Sequence, residues 1–370
     1  PREIYVFYLF KSTPKLELVI GLIGLIGEST YSQTMFNERI KNYDDICFCN
    51  VGLSHPKEIL DLDNNMEILF ALKTARTLHE LNKLEIKYTE SQINLLKLSG
   101  LIERKDSSYK TIIPILSKNE TNKLRGETKR MAGVIIPRIK DDFESLSKTI
   151  NSHGLHKNSY SLFFAFVLDG LVWEILEQNK DIEETIITKE KPFWDGTFWM
   201  IEPKREFSCG TNSISSGDYS ISVNWSDKSV ISVSSYKMLR ELLNDYKVNG
   251  KITKPAIFKE FAKNDLFNKN GELQIPVIKA DSTDIIYLQS MIIAQKVVGY
   301  LRDNIDYSVI LSDCPGLSKG QKITILYHEI MWDILDIMEE NGQIRKPIAF
   351  ENPQEAKDEN LKDLIFIIKD

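Results

Sequence analysis

The residues best suited to metal or acid–base chemistry lie together at Tyr327-His328-Glu329. A zinc protease helix carries a second histidine four residues after the first, and Trp332 occupies that position here. The chain has only five histidines, and it has no Gly-x-Ser-x-Gly segment that would present a serine nucleophile. We therefore predict that His328 packs within a helix. We also expect that the protein is not an enzyme and holds no metal or cofactor.

Aromatic side chains are the second group that could bind a ligand. Phe193-Trp194 and Phe198-Trp199 are close in sequence, and Trp225 follows them. Tryptophans can stack on sugars, bases or flat metabolites, or they can fill a core. We expect a core role. We keep Trp194, Trp199 and Trp225 as the candidates for binding a small-molecule effector.

The cysteine count and the hydropathy limit the compartment and the class of protein. Four cysteines in 370 residues are too few for a disulfide scaffold, although a single bridge between Cys209 and Cys314 stays open. No run of 18 apolar residues occurs, so the sequence predicts no membrane span. We expect the protein to be cytoplasmic. The first residue, Pro1, fits removal of either an initiator methionine or a signal peptide.

Positive charge is concentrated in one part of the chain. Residues 66–140 carry 15 basic and 8 acidic side chains, whereas the whole chain has a net charge of −6. Residues 1–65 carry 6 basic and 9 acidic side chains, and residues 141–370 carry 26 and 36. A local positive excess is what a surface facing a polyanion needs, although a solvated helix face can show the same bias.

Two capping boxes must position any site in the positive segment. Thr77 with Glu80 and Thr89 with Gln92 each place a threonine hydroxyl and an acidic or amide side chain three residues apart. Their spacing leaves room for a short helix and a tight turn. Gly100 can take the left-handed conformation that ends the second helix. We predict a further helix over residues 66–76, before the two capped helices, and a two-stranded hairpin over residues 102–113.

This order of elements resembles the winged helix-turn-helix regulators of the ArsR and MarR type over residues 66–116. The resemblance implies that the helix from Thr89 to Ser99 enters the major groove of double-stranded DNA. It also implies that the hairpin, the wing, meets phosphates or the minor groove. The candidate DNA contacts of this module are Ser91, Gln92, Asn94, Lys97, Arg104, Lys105 and Lys110. Glu90 departs from the pattern because its carboxylate would face phosphate unfavourably.

A fainter copy of these surroundings recurs later in the chain. With an offset of 162, Pro114 matches Pro276, and with an offset of 159, Trp173 matches Trp332. Apolar residues recur at equivalent positions in the two aligned segments. We therefore predict an internal duplication with a second winged-helix-like unit near residues 236–278. Its candidate DNA contacts are Lys254, Lys259 and Lys263.

We therefore predict a helix-rich α+β fold of tandem duplicated units. Each unit has a winged-helix module, a long helix and a Trp-bearing helix, with small β-rich segments. The predicted segments are a β-rich N-terminal part (1–65), a first unit (66–180), a β-rich aromatic part (190–235), a second unit (236–345) and a tail (346–370).

The leading functional hypothesis is a DNA-binding, transcription-regulator-like protein whose aromatic β region binds an effector. The first alternative is a non-enzymatic interaction or scaffold protein that uses the same modules to bind protein. The second is an extracytoplasmic ligand-binding protein whose tryptophans form the site.

Overall fold

The computed structural model describes residues 40–48, 56–182, 198–205, 209–226, 233–261, 264–312, 317–351 and 363–369. Its α-helices are α1 (Pro56–Leu60), α2 (Asn65–Ala71), α3 (Leu78–Lys83), α4 (Glu90–Leu98), α5 (Lys118–Ser152), α6 (Ser159–Ser161), α7 (Val172–Gln178), α8 (Val233–Asn249), α9 (Pro255–Phe261), α10 (Ile285–Asp303), α11 (Lys319–Glu340) and α12 (Ile348–Glu351). Its strands are β1 (Tyr43–Phe48), β2 (Arg76–Thr77), β3 (Ile102–Lys105), β4 (Ser108–Thr111), β5 (Phe198–Pro203), β6 (Cys209–Ser216), β7 (Tyr219–Ser226), β8 (Val277–Lys279) and β9 (Ile365–Ile368). A π-helical stretch, Leu162–Leu171, joins α6 to α7.

The chain divides into two compact units. Among the described residues, the N-terminal unit comprises those of 40–121 and 198–204, and the C-terminal unit comprises those of 122–182 and 205–369. In the N-terminal unit, β5 returns from later in the chain to pair with β1. The helix-rich α+β class is confirmed.

In the N-terminal unit, three helices and three short strands follow one another in the order α2, β2, α3, α4, β3, β4. The strands form an antiparallel sheet in which β4 lies between β2 and β3. Thr111, which ends β4, donates its hydroxyl to the carbonyl of Leu69 over 2.7 Å. Its amide donates to the carbonyl of Leu72 over 2.9 Å. These bonds fix the end of the hairpin to α2.

Local sequence signals explain how these elements begin and end. Both predicted capping boxes are confirmed: Thr77 caps α3 with Glu80, and Thr89 caps α4 with Gln92. Gly100 has a φ of 72°, which suits a glycine after a helix end. The predicted hairpin is confirmed as β3 and β4, with Asp106 at its tip in the left-handed region (φ 54°).

One apolar core holds the helices and strands of the N-terminal unit together. It contains Ile68 and Leu69 of α2, together with Ile93 and Leu96 of α4. These side chains are between 0% and 3% exposed. They follow the three- and four-residue spacing of a helix that buries one stripe, so each helix turns its other face to solvent.

In the C-terminal unit, the C-terminal half of α5 lies antiparallel to α10. Gln289 donates to the hydroxyl of Ser145 over 2.9 Å, and Arg138 donates to the side chain of Asn304 over 3.1 Å. Beneath them lies the π-helical stretch, whose side chains are almost fully buried. The hydroxyl of Tyr327 on α11 donates to the carbonyl of Leu168 in that stretch.

The sheet of the C-terminal unit has the order β6-β7-β9-β8. β7 is antiparallel to both β6 and β9, whereas β8 runs parallel to β9. Leu239, Leu242 and Leu243 of α8 are fully buried in the same core as Ile221 and Phe366 of the sheet. The predicted strand over residues 219–225 is confirmed as β7, and the one over residues 45–51 overlaps β1. The predicted strand at residues 5–10 lies outside the described residues.

One helical stretch is as apolar as a membrane span. His156–Gln178, with a mean hydropathy of 1.5, is long and apolar enough to cross a membrane, and it is the only such helix in the described part of the chain. The helix is 72% buried inside the protein over its most apolar part, as a core helix is. Phe163 and Val167, for example, are fully buried.

Candidate nucleic-acid interface

The outward face of α4 carries most of the residues that the sequence marked as DNA contacts. Ser91, Asn94 and Lys97 are exposed, while Ile93 and Leu96 between them are buried. The hydroxyl of Ser91 and the carboxamide of Asn94 make no hydrogen bond to any residue that the structure describes. This face therefore presents polar groups that are not already engaged inside the molecule.

Gln92 has a different role from its helical neighbours. Its Oε1 accepts from the amide of Thr89 over 2.8 Å. Its Nε2 donates to Asn64 over 3.0 Å and to Asn65 over 3.3 Å. Since both ends of the side chain are engaged, Gln92 joins α4 to α2 and is not placed to contact a base. We therefore leave it out of the proposed contact set.

The hairpin between β3 and β4 presents basic side chains. Arg104 and Lys105 are exposed, and Lys110 is half-buried. The Nε of Arg104 donates to the carbonyl of Asp106 over 2.8 Å, and its guanidinium lies 5.7 Å from the ring centre of Tyr109. These contacts hold the Arg104 side chain in one direction, which lowers the entropy cost of placing it on a phosphate.

Acidic side chains share the same surface. Glu90 at the start of α4, Glu103 on β3 and Asp106 at the hairpin tip are all exposed. Glu103 stands opposite Lys110 in the antiparallel register. The field of this face is therefore mixed rather than uniformly positive, and a polyanion would have to engage Lys97 and the basic side chains of the hairpin individually.

The lysines expected to contact DNA in the second copy are in different situations. Lys254 pairs with Glu241 over 3.1 Å, and its amide donates to Asp245. Lys259 is exposed on α9. Lys263 lies outside the described residues. Within the described residues of 236–278, two helices are followed by a bridge between Phe267 and Leu273 and then by the start of β8.

The three tryptophans proposed for effector binding are not brought together by any described contact. Trp194 lies outside the described residues, and only the backbone of Trp199, on β5, is described. Trp225 stands opposite Gly210 across the β6–β7 pair. A Cβ at Gly210 would approach its indole within 3.0 Å, so the ring covers the glycine. A bridge between Cys209 and Cys314 was left open by the sequence, and Cys314 lies outside the described residues.

His328 and Glu329 belong to a buried polar cluster that the sequence did not indicate. Glu329 accepts hydrogen bonds from Arg125 (3.2 Å), from Arg205 and from His328 (3.3 Å). Burial favours a raised pKa for Glu329. The hydrogen bond from His328 and the charge of Arg205 outweigh that effect and hold the pKa well below its usual range. Trp332 packs against His328 and donates to its ring over 3.4 Å.

No metal centre is evident in the described part of the chain. No group of three or more His, Cys, Asp or Glu residues there could hold a metal ion. Burial lowers the pKa of His328, which keeps its ring neutral between Glu329 and Trp332. The His328 ring thus packs within α11 between Glu329 and Trp332.

A polar cleft of about 360 Å³ lies elsewhere in the N-terminal unit. The ammonium of Lys57 bonds to Asp44 over 2.9 Å and to Asp45 over 2.7 Å at its wall. Burial raises the pKa of Asp45 to about 6, against the opposing charge of Lys57. Charges of both signs thus line the cleft, and they are paired with one another rather than directed at one kind of ligand.

Comparison with known proteins gives no family. No protein-family model, no curated protein and no solved structure matches the chain.

Proposed function

We propose that the chain is a DNA-binding protein of the transcription-regulator type, in which residues 65–111 act as a winged helix-turn-helix. The observation that carries the proposal is the order α2, β2, α3, α4, β3, β4 with the antiparallel strand order β2-β4-β3. In such a module the second helix of the capped pair enters the major groove and the hairpin lies along the backbone. Here these elements are α4 and the β3–β4 hairpin.

The exposure of α4 supports DNA as the ligand. Ser91 and Asn94 offer hydrogen-bonding groups that no described residue uses, and Lys97 offers a charge on the same helix. Arg104 and Lys105 add charge from the hairpin. Phosphate contacts supply most of the affinity of such interfaces, whereas hydrogen bonds to base edges supply specificity.

The duplication belongs to the same proposal, and the hydrogen bonding of two strands supports it. The carbonyl of Pro114 accepts from the amide of Ile201 over 2.8 Å. The carbonyl of Pro276 accepts from the amide of Phe366 over the same distance. Pro114 and Pro276 are the two residues that the sequence offset of 162 aligns. Each lies just before a long helix, α5 or α10.

The strands around these bonds also correspond. Ile115 pairs in parallel with Ile201 on β5, and β5 is antiparallel to β1. Val277 of β8 pairs in parallel with Phe366 on β9, and β9 is antiparallel to β7. Both units thus have a returning strand between an earlier antiparallel strand and a short parallel one. We infer a common ancestral unit, with the clearer DNA-binding module in the first copy.

Duplex DNA titration at several salt concentrations tests the function. The full chain should bind with an affinity that falls steeply as salt rises, because each phosphate contact releases counterions. Lys97→Ala and Arg104→Ala should each reduce the log–log slope by about 1. Lys148→Ala, which removes an exposed lysine of α5, is the control and should leave the slope unchanged.

The alternative use of the same surface is to bind protein. Absence of duplex binding at low salt, from a chain whose folding is verified by circular dichroism, would reject the DNA function and favour that alternative. A slope that the Lys148 variant reduces as much as the Lys97 variant would locate DNA binding on another surface.

A further inference from the structure

Leu98, the last residue of α4, lies outside the core that the helix otherwise joins. Its side chain is 46% exposed, whereas those of Leu96 and Leu101 on either side are fully buried. A single exposed leucine is ordinary on a protein surface. The position of Leu98 is what gives it meaning, because it follows Asn94 by four residues and Ser91 by seven.

Residues at this spacing lie on one stripe of a helix. The stripe on α4 thus runs from the hydroxyl of Ser91 through the carboxamide of Asn94 to the isobutyl group of Leu98. All three side chains are exposed. Asn94 and Leu98 are separated by roughly 6 Å along the helix axis. Successive base pairs are roughly 3.4 Å apart, so the two side chains reach the same or neighbouring base-pair steps.

The chemistry of these two side chains matches one kind of base pair. In the major groove, adenine offers an acceptor at N7 and a donor at N6, which a carboxamide can engage together. Thymine offers a C5 methyl group, which suits an apolar side chain. A cytosine in that place would present its N4 donor to Leu98, and covering that donor without a partner is costly.

We propose that α4 reads an A·T base-pair step, with Asn94 on the adenine edge and Leu98 on the thymine methyl group. The proposal rests on the DNA-binding function proposed above and adds the kind of sequence that the site prefers. Lys97, beside the stripe, and Arg104, on the hairpin, supply charge for the backbone without selecting a base.

The polar side chains on the same stripe favour DNA over a protein partner as the occupant of Leu98. The nearest basic side chain in sequence is Lys97, which is exposed and forms no ion pair with a described residue. An apolar docking surface for protein would need further exposed apolar side chains on the same stripe. Ser91 and Asn94 occupy those positions instead.

The test uses duplexes that the full chain selects from a random-sequence pool. Each selected duplex is made with thymine and again with deoxyuridine, which lacks only the methyl group, and a third form carries 7-deazaadenine for adenine. The wild-type protein should bind the deoxyuridine form about three- to fivefold more weakly, the scale of one methyl group removed from water. Leu98→Ala should bind both forms alike. Asn94→Ala should no longer distinguish adenine from 7-deazaadenine.

Leu62→Ala is the matched control, because Leu62 is 48% exposed and lies before α2. It should keep the full preference for thymine. Equal wild-type affinity for the thymine and deoxyuridine forms, with normal salt dependence, would overturn this proposal and leave the DNA-binding function standing. Loss of self-association in Leu98→Ala with unchanged thymine preference would overturn it too. Absence of binding to every duplex would reject both proposals.

Discussion

Ile201 donates its main-chain amide to the carbonyl of Pro114 across 2.8 Å, although the two residues are far apart in sequence. The amide of Leu116 returns a bond of 2.9 Å to the carbonyl of Ile201. This pair joins the returning strand β5 to the segment that leads into α5. The equivalent bond between Phe366 and Pro276 in the other unit makes this connection the best structural support for a repeat.

The first prediction separates two neighbouring residues of α4. Gln92→Ala should lower the free energy of unfolding by about 1–2 kcal/mol, because it removes half of a capping box and the hydrogen bonds to Asn64 and Asn65. Asn94→Ala should leave stability within about 0.5 kcal/mol of wild type, since Asn94 is exposed. Urea unfolding of both variants checks the stabilities.

DNA titration of the same two variants completes this comparison. Asn94→Ala should weaken duplex binding, whereas Gln92→Ala should not do so at temperatures where it is fully folded. Weaker binding by a folded Gln92 variant, with its stability unchanged, would show that the amide contacts DNA rather than α2.

The second prediction concerns the contact between Gly210 and Trp225. Gly210→Ala should destabilise the protein by about 1–3 kcal/mol, because the new methyl group would lie 3.0–3.2 Å from the indole. Gly133→Ala on α5 should instead stabilise it by about 0.5–1 kcal/mol, since no atom lies within 4 Å of the added Cβ. Thermal unfolding of the two variants should move in opposite directions. A neutral Gly210 variant would mean that the indole moves away at no cost.

The third prediction concerns the buried carboxylate of Glu329. Its side chain is 6% exposed, and it is paired with Arg125 and Arg205. Glu329→Gln should cost about 2–4 kcal/mol of stability. This cost is somewhat lower than that of breaking a fully buried ion pair, because Arg125 is 41% exposed.

Glu127→Gln on α5 is the control for this charge removal. Glu127 pairs with Arg130 at the surface, so its loss should leave the stability close to that of wild type. Chemical denaturation at pH 7 measures both variants. Equal costs for the two substitutions would contradict a structural role of the Glu329 cluster.

The fourth prediction is a pH dependence that arises from Asp169. Burial raises the pKa of Asp169 to about 6, although the hydrogen bonds from Thr211 and Trp173 favour its ionised form. The unfolded chain holds an aspartate near its ordinary value of 3.8. Between these two pKa values the folded state binds more protons than the unfolded state. The stability that Asp169 contributes therefore increases as the pH falls through 6 and is lost as the pH rises through 6.

Asp169→Asn should remove that dependence. As the pH rises from 4.5 to 7.5, the wild type should lose roughly 2 kcal/mol of stability that the variant keeps, an estimate from the size of the pKa shift of Asp169. Asp141→Asn, at an exposed site on α5, should follow the wild-type profile. Urea unfolding across this pH range makes the comparison. Parallel profiles for wild type and Asp169→Asn would mean that the folded and unfolded states bind this proton equally.

The sequence determined the local elements of the candidate interface. Thr77, Thr89 and Gly100 were sufficient to place the ends of α3 and α4, because a cap is completed by hydrogen bonds within one helical turn. The polar turn at residues 105–108 likewise placed the hairpin. Such signals need no distant partner, and the sequence could therefore be interpreted directly.

Only the tertiary structure decided the contacts between distant parts of the chain. Gln92 bonds to Asn64 and Asn65 and so leaves the proposed contact set, while Leu98 stays exposed at the end of a helix whose other leucines are partly or fully buried. The partner of Pro114 is set by the return of β5. The physical reason is the same in each case: burial and long-range pairing depend on which surfaces meet, and residue spacing within one element does not encode that.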